Sequence, residues 1–204
     1  LGDVYKRQIL KQTVISSPRF LLPKAFQKQW NGLNHSISFF KVRCILMIQK
    51  FEFCNTDFEG AYLIKPFCAT DIRGAFIKDY SKEVFEANGL EHNLAEVFYT
   101  VSHKGVIRAL HFQRVHEQAK LVRCIKGKVF DVIVDLRPES PTFKKWQGFY
   151  LSEENMNELY VPEHFAHGYL VLEPSVVSYK CGEKFYGEYD DGIMYNDPDL
   201  GVEW

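Results

Sequence analysis

The 204-residue chain is long enough for one domain with a sizeable core. Its 46% apolar and 25% charged residues are ordinary for a soluble globular protein. A formal net charge of −1 with no Lys/Arg block argues against a nucleic-acid partner, and no apolar run approaches the roughly 18 residues of a membrane span. Five cysteines (Cys44, Cys54, Cys68, Cys124 and Cys181) are odd in number and form no CxxC pair, so they read as free, mostly buried thiols of a reducing cytoplasm.

Residues 1–46 are basic, hold no acid except Asp3 and show no sustained period, and the first methionine is Met47. The reading is of a domain over 47–204, preceded over 1–46 by upstream translation or a poorly ordered leader. Phe51–Phe53 and Ala61–Ile64 predict two strands, the second ended by Pro66. Asp71–Gly74 predicts a turn and Ala75–Ile77 a further extended run. Ser81 is expected to cap a short helix running to about Ala87, with Gly89 just past its end. Val97–Val101 is the next strand.

Two strong strand runs follow, and Lys126-Gly127 between them reads as a hairpin. Phe130, Val132, Val134 and Leu136 make one face of the second run, and Asp131, Ile133 and Asp135 the other. Trp146–Leu151, Leu159–Val161, Tyr169–Leu172 and Val176–Lys180 complete the strands, and the pattern weakens after Gly182. Strands recurring every ~8–12 residues, with few short helices, predict an all-β sandwich or barrel.

Polar residues recur inside these apolar runs. His111 lies between Leu110 and Phe112, and alone it reads as a hydrogen-bonded core or rim residue. Lys120 opens the next run, Asp131 follows in the one after, His167 sits at a turn-to-strand junction, and Tyr179 is in the last strand. In a barrel, inward side chains of neighbouring strands converge. A base, a phenol and a fixed cation suit reversible proton transfer at a carbon beside a carbonyl. Arg73, Arg108 and Arg123 are candidate phosphate ligands, with a solvated strand edge as the plain alternative for Arg123. A metal is the rival use of the histidines, but the chain has no His-x-His, and His164 and His167 flank a Phe-Ala pair after Pro162. No metal and no cofactor are expected.

Several stretches match a known family in order and spacing. They are Gly105-Val-Ile-Arg-Ala-Leu-His-Phe-Gln113, Lys120-Leu-Val-Arg123, Val129-Phe-Asp-Val-Ile-Val-Asp-Leu-Arg137, Ser140-Pro-Thr-Phe143, Val161-Pro-Glu-His-Phe-Ala-His-Gly168, Tyr179-Lys180 and Asn196–Trp204. From about Ile48 onward the chain resembles the dTDP-4-dehydrorhamnose 3,5-epimerases. The resemblance implies a metal-free cupin, a double-stranded β-helix or jelly-roll barrel. It implies a cytoplasmic homodimer with an exchanged N-terminal strand that inverts C3 and C5 of a nucleotide-linked 4-keto-6-deoxyhexose.

It further implies that His111 is the base, Tyr179 the acid on the opposite ring face, and Lys120 the cation near the 4-keto oxygen. Asp131, His167 and Tyr186 fall on active-site positions. Arg73, Phe76, Arg108 and Gln113 fall among the substrate-binding ones. Lys78 and Glu96-Val-Phe98 depart from the family pattern near the nucleotide end, which puts thymidine preference in question. The family also carries, past the position of Trp204, a Leu-Ser-x-Lys-Asp segment whose carboxylate orients the base. This sequence ends at Trp204, and Asp131 is the nearby carboxylate, expected to serve neighbouring donors instead. A single-carbon epimerase, a 3,4-ketoisomerase and a catalytically silent sugar-binding cupin are the alternatives.

Overall fold

The computed structural model describes residues 50–204. The 1–46 leader and Cys44 lie outside the described residues. The described part is almost entirely β, with a nine-stranded antiparallel sheet and a separate two-stranded hairpin. The strands are β1 (Glu52–Asn55), β2 (Tyr62–Lys65), β3 (Phe67–Asp71), β4 (Gly74–Lys78), β5 (Glu96–Ser102), β6 (Ile107–Gln113), β7 (Lys120–Asp135), β8 (Trp146–Ser152), β9 (Glu158–Val161), β10 (Phe165–Cys181) and β11 (Asp190–Gly192). Where a few short helices were expected, the described residues hold one α-helix, α1 (Lys82–Ala87). Ser81 stands at its N-cap but makes no side-chain cap hydrogen bond.

Two long strands carry the architecture. β7 and β10 pair along nearly their whole length. The first part of β7 also pairs with β9 and the second with β8. Likewise the first part of β10 pairs with β6 and the second with β5. Each long strand therefore serves two half-sheets, bending where it passes from one to the other, as in barrel-like sandwiches. The interior cluster draws Val122, Leu159, Val177 and Cys181 from one half and Val129, Ile133, Leu151, Phe165 and Tyr169 from the other. Phe85 of α1 covers one outer face with Ile64, Leu121 and Tyr160. Ile193, Leu200, Val202 and Trp204 pack over the other, on Leu110, Val132, Val134 and Ala166.

The expected hairpin at Lys126-Gly127 is not formed, and β7 runs straight through it. Gly127 takes φ 75°, and a Cβ there would lie 2.3 Å from the Pro174 carbonyl oxygen of β10. Glycine permits this close crossing of the paired strands at the bend, a local signal that resembles a turn in the sequence. Lys120 and Asp131 consequently share one strand rather than two. β10 is also continuous, so the two strands expected at Tyr169–Leu172 and Val176–Lys180 are one, and His167 lies near its start, just past the turn at Glu163 and His164.

The bend has a second effect. Before it, Val122 and Cys124 face the interior, and after it Val129 and Ile133 do. The inward set changes from even to odd numbers, as an irregularity that inserts one residue must cause. That change puts Lys120 and Asp131, eleven residues apart, on the same face. β6 holds a similar device. Its register with β10 runs His111↔His167 and then Arg108↔Tyr169, three residues against two. Gly168 lies opposite the extra residue, and a Cβ on it would come within 2.4 Å of the Ala109 Cβ. The bulge brings Arg108 and His111 onto one face and leaves Leu110 in the outer core.

Candidate active site

His111, Lys120, Asp131, His167 and Tyr179 gather on the interior face of β6, β7 and β10. His111 and His167 are directly opposed partners of adjacent strands, which places their side chains on the same side. The His167 Nε2 lies 2.9 and 3.0 Å from the two carboxylate oxygens of Asp131. Asp131 is fully buried, and burial raises its pKa against the lowering effect of His167 and Lys120. The Asp131 carboxylate is therefore committed to His167.

Tyr179 is 8% exposed, with its ring stacked on Phe98 at 4.9 Å and edge-on to His167 at 5.9 Å. Burial, then the neighbouring Tyr169 and Asp131, pushes its phenol well above the usual value. Tyr169, which contributes to that shift, has its hydroxyl 2.8 Å from that of Thr100. These groups hold the phenol in place and keep it protonated, as a proton donor requires.

Lys120 is opposite Cys181 on β10 and Val161 on β9. Burial lowers its pKa, while Cys181, Asp190 and Asp131 oppose the shift. The Cys181 thiol is itself pushed up to about 11, chiefly by burial. His111 is exposed to solvent, yet desolvation by the surrounding protein lowers its imidazole as well, with Asp190 opposing and Lys120, His167 and Arg108 adding to the lowering. The set is thus a base favoured neutral, a phenol favoured neutral and a buried lysine on the same face. The Arg108 Nε donates to the Ser102 hydroxyl at 3.0 Å, fixing the guanidinium beside the base.

Other predicted residues are placed differently. Gln113 is 4% exposed, and its amide is taken up by main chain. It donates to the carbonyls of His116 (2.6 Å) and Lys184 (3.1 Å) and accepts from the Tyr186 N–H (2.6 Å). It thereby anchors the loop that carries Tyr186. Tyr186 stacks on His116 at 4.7 Å. Arg73 and Phe76 are on the β3–β4 hairpin, outside the nine-stranded sheet, with Phe76 58% exposed. Arg73 is hydrogen-bonded to Asp71.

Arg123 is neither a phosphate ligand nor a solvated edge. It is buried on the outer face of β7, 3.6 Å from Asp79 and 4.0 Å from the fully buried Glu158. Cys54 and Cys68 are exposed, against the expectation of mostly buried thiols. Among the described residues no three His, Cys, Asp or Glu side chains cluster as metal ligands do. Sequence reasoning missed Tyr169 and Asp190, and it placed Phe98 only toward the nucleotide end, not against Tyr179. Phe98 was within reach, since a strand aromatic opposite Tyr179 follows from pairing β5 with β10. Asp190 gave no signal, because β11 is three residues long.

A family profile described as dTDP-4-dehydrorhamnose 3,5-epimerase matches residues 55–204. The chain is 46% identical over 156 residues to the dTDP-4-dehydrorhamnose 3,5-epimerase of Methanothermobacter thermautotrophicus, covering 76% of this chain and 84% of that protein. A crystal structure of dTDP-4-dehydrorhamnose 3,5-epimerase from Bacillus anthracis, with TDP and PPi bound, superposes with a TM-score of 0.74 at 40% identity, covering 76% of this chain and 90% of that one. A 3'-monoepimerase from Streptomyces bikiniensis, in complex with dTDP-quinovose, superposes with a TM-score of 0.69 at 30% identity, covering 73% and 77%.

Proposed function

The chain belongs to the dTDP-4-dehydrorhamnose 3,5-epimerase family, and on that premise we propose that it inverts C3 and C5 of a nucleotide-linked 4-keto-6-deoxyhexose. The reaction converts dTDP-4-dehydro-6-deoxyglucose to dTDP-4-dehydrorhamnose, a step of dTDP-rhamnose and polysaccharide biosynthesis in the cytoplasm. One observation carries the reading. His111, Lys120 and Tyr179 share one interior face, and His111 and Tyr179 are each shifted toward the form the chemistry needs.

A hydrogen on carbon beside a ketone is acidic because the carbanion is stabilised as an enolate. Neutral His111 takes that proton, and the Lys120 ammonium meets the negative charge that builds on the ketone oxygen. Preorganised donors aimed at such charge contribute on the order of 3–4 kcal/mol each. The Tyr179 phenol returns a proton to the opposite ring face, and inversion results. Because C3 and C5 flank the same C4 ketone, one base and one acid serve both. Asp131 holds His167 beside this pair, and Arg108 takes the diphosphate, as the family resemblance implies.

Arg73 and Phe76 enter through a homodimer with an exchanged N-terminal strand. Support comes from exposed apolar surface on the β3–β4 hairpin (Ile72, 99% exposed) and along β5 (Tyr99, 68%; Val101, 67%). A second copy covering this surface buries it and carries the hairpin of one subunit toward the nucleotide end of the other. The functional test is incubation with dTDP-4-dehydro-6-deoxyglucose, followed by NMR of the product configuration at C3 and C5. Inversion at both carbons upholds the reading. Inversion at C3 alone makes the chain a monoepimerase, a ketone moved to C3 makes it a ketoisomerase, and binding without change makes it a silent cupin.

A further inference from the structure

β11 completes the wall beside His111. Its register with β6 is Asp190↔Gln113, Asp191↔Phe112 and Gly192↔His111. The main chain continues this pairing, with Leu110 N–H to the Ile193 carbonyl at 3.0 Å and Arg114 N–H to the Tyr189 carbonyl at 3.0 Å. Directly opposed residues of an antiparallel pair share a face, so Asp190 is on the His111 side and Asp191 on the other. Asp191 meets Arg114 there, with Nε 3.2 Å from its carboxylate.

Opposite His111 itself stands Gly192, which has no side chain. The first side chain on that flank is Asp190, diagonal to His111 at a spacing of ~7–8 Å, close enough for its charge to act on the imidazole through space. Every element around the imidazole contributes a charged or titratable group. They are Arg108 on its own strand, Lys120 on β7, His167 on β10 and Asp190 on β11. Asp190 raises the His111 pKa against its cationic and titratable neighbours, and it acts on Lys120 too. Asp131 acts on Lys120 and His167.

We propose that Asp190 is a positioning residue for the epimerisation, stabilising the imidazolium that forms on His111 when the base takes the substrate proton. This deepens the function proposed above and rests on it. Asp190 is a different group from the carboxylate that the family carries after the position of Trp204. Two carboxylates then divide the work: buried Asp131 fixes His167, and Asp190 at the rim offsets the three cationic or titratable neighbours that disfavour a charged His111.

The test is an NMR titration of the His111 ring in the full chain at low ionic strength, its resonance assigned with His111→Asn, alongside the pH profile of kcat/KM. Asp190→Asn should lower the His111 midpoint by about half a unit, as loss of a nearby unit charge in a solvated setting does, and 1 M salt should erase most of the difference. The acid limb of kcat/KM should move by the same amount, Asp190→Glu should restore both, and Asp191→Asn should change neither. An unshifted midpoint in Asp190→Asn, or an equal shift in Asp191→Asn, overturns the assignment. Turnover by the unmutated chain with an unshifted titration overturns Asp190 alone. A shifted titration in a chain that turns over no nucleotide sugar overturns the function, and Asp190's part in it.

Discussion

Gly168→Ala tests whether the β6 bulge builds the site. The added Cβ would lie 2.4 Å from the Ala109 Cβ, 2.6 Å from its Cα and 2.7 Å from the Arg108 carbonyl oxygen. Carbon atoms rest about 3.5–4.0 Å apart, so the strands must separate by roughly 1 Å. None of the three atoms can leave by a rotamer change, because they are main chain or attached directly to it. Overpacking costs about 1–3 kcal/mol, and the rigidity of these neighbours puts this site near the upper value. At ~3 kcal/mol a domain of this size loses about 6–12 °C in Tm.

Activity should fall further than stability. The strain is relieved by flattening the bulge, which turns Arg108 or His111 away from the cavity. Thermal unfolding gives the first quantity, and kcat/KM at a temperature where both proteins are folded gives the second. Adding Ala109→Gly removes the 2.4 Å contact and leaves the other two, so the double variant should recover only part of both. A Gly168→Ala protein that melts within ~2 °C of the parent and keeps full kcat/KM would refute the reasoning.

Desolvation by the surrounding protein lowers the His111 pKa, and the base acts when neutral, so kcat/KM should rise with pH through a midpoint below the ordinary 6.5; a midpoint above 7 in the pH profile contradicts this. Glu158 is fully buried, neither of its oxygens is hydrogen-bonded, and burial raises its pKa well above the usual value. A carboxyl raised on folding costs stability once pH exceeds its unfolded value, so Glu158→Gln should raise Tm at pH 7 and lose that advantage as pH falls toward ~4.3. Melting curves at pH 4 and pH 7 check it, and an advantage that grows toward low pH would reverse the sign. Turnover should survive exhaustive chelation, since Lys120 meets the enolate charge; loss with chelator and return with one divalent metal would replace Lys120 by a Lewis acid in this account.

The strand content was legible because apolar runs and turn residues alternate at short spacing. The two faces of the Phe130–Leu136 run were legible from period-two alternation alone, and the structure divides them between the outer and inner cores. Strict alternation fails where the site is built. It would put Arg108 and His111 on opposite faces, and Lys120 and Asp131 likewise. Two irregularities, one opposite Gly168 and one at Gly127, reverse that outcome, and each depends on how closely a partner strand approaches. A glycine at a crossing and a glycine in a turn look the same in one dimension, which is why Gly127 read as a hairpin. Arg123 was misplaced for a related reason: its side chain faces away from the cavity, toward Asp79 and Glu158, contacts that only the packing of the 79–92 segment and β9 onto β7 creates. Gln113 could be placed near the site by its motif, but its engagement with the 182–189 loop comes from tertiary folding.

The central claim is that one base and one acid on a shared face serve both carbons. Solvent deuterium incorporation into dTDP-4-dehydro-6-deoxyglucose tests it most directly, comparing the parent chain with His111→Ala and Tyr179→Phe. The parent should incorporate deuterium at C3 and C5. His111→Ala should lose incorporation at both by at least ~10²-fold. Tyr179→Phe should still exchange while inversion fails, because removal of the proton remains and its return from the opposite face does not. Exchange that persists at either carbon in His111→Ala would contradict the claim.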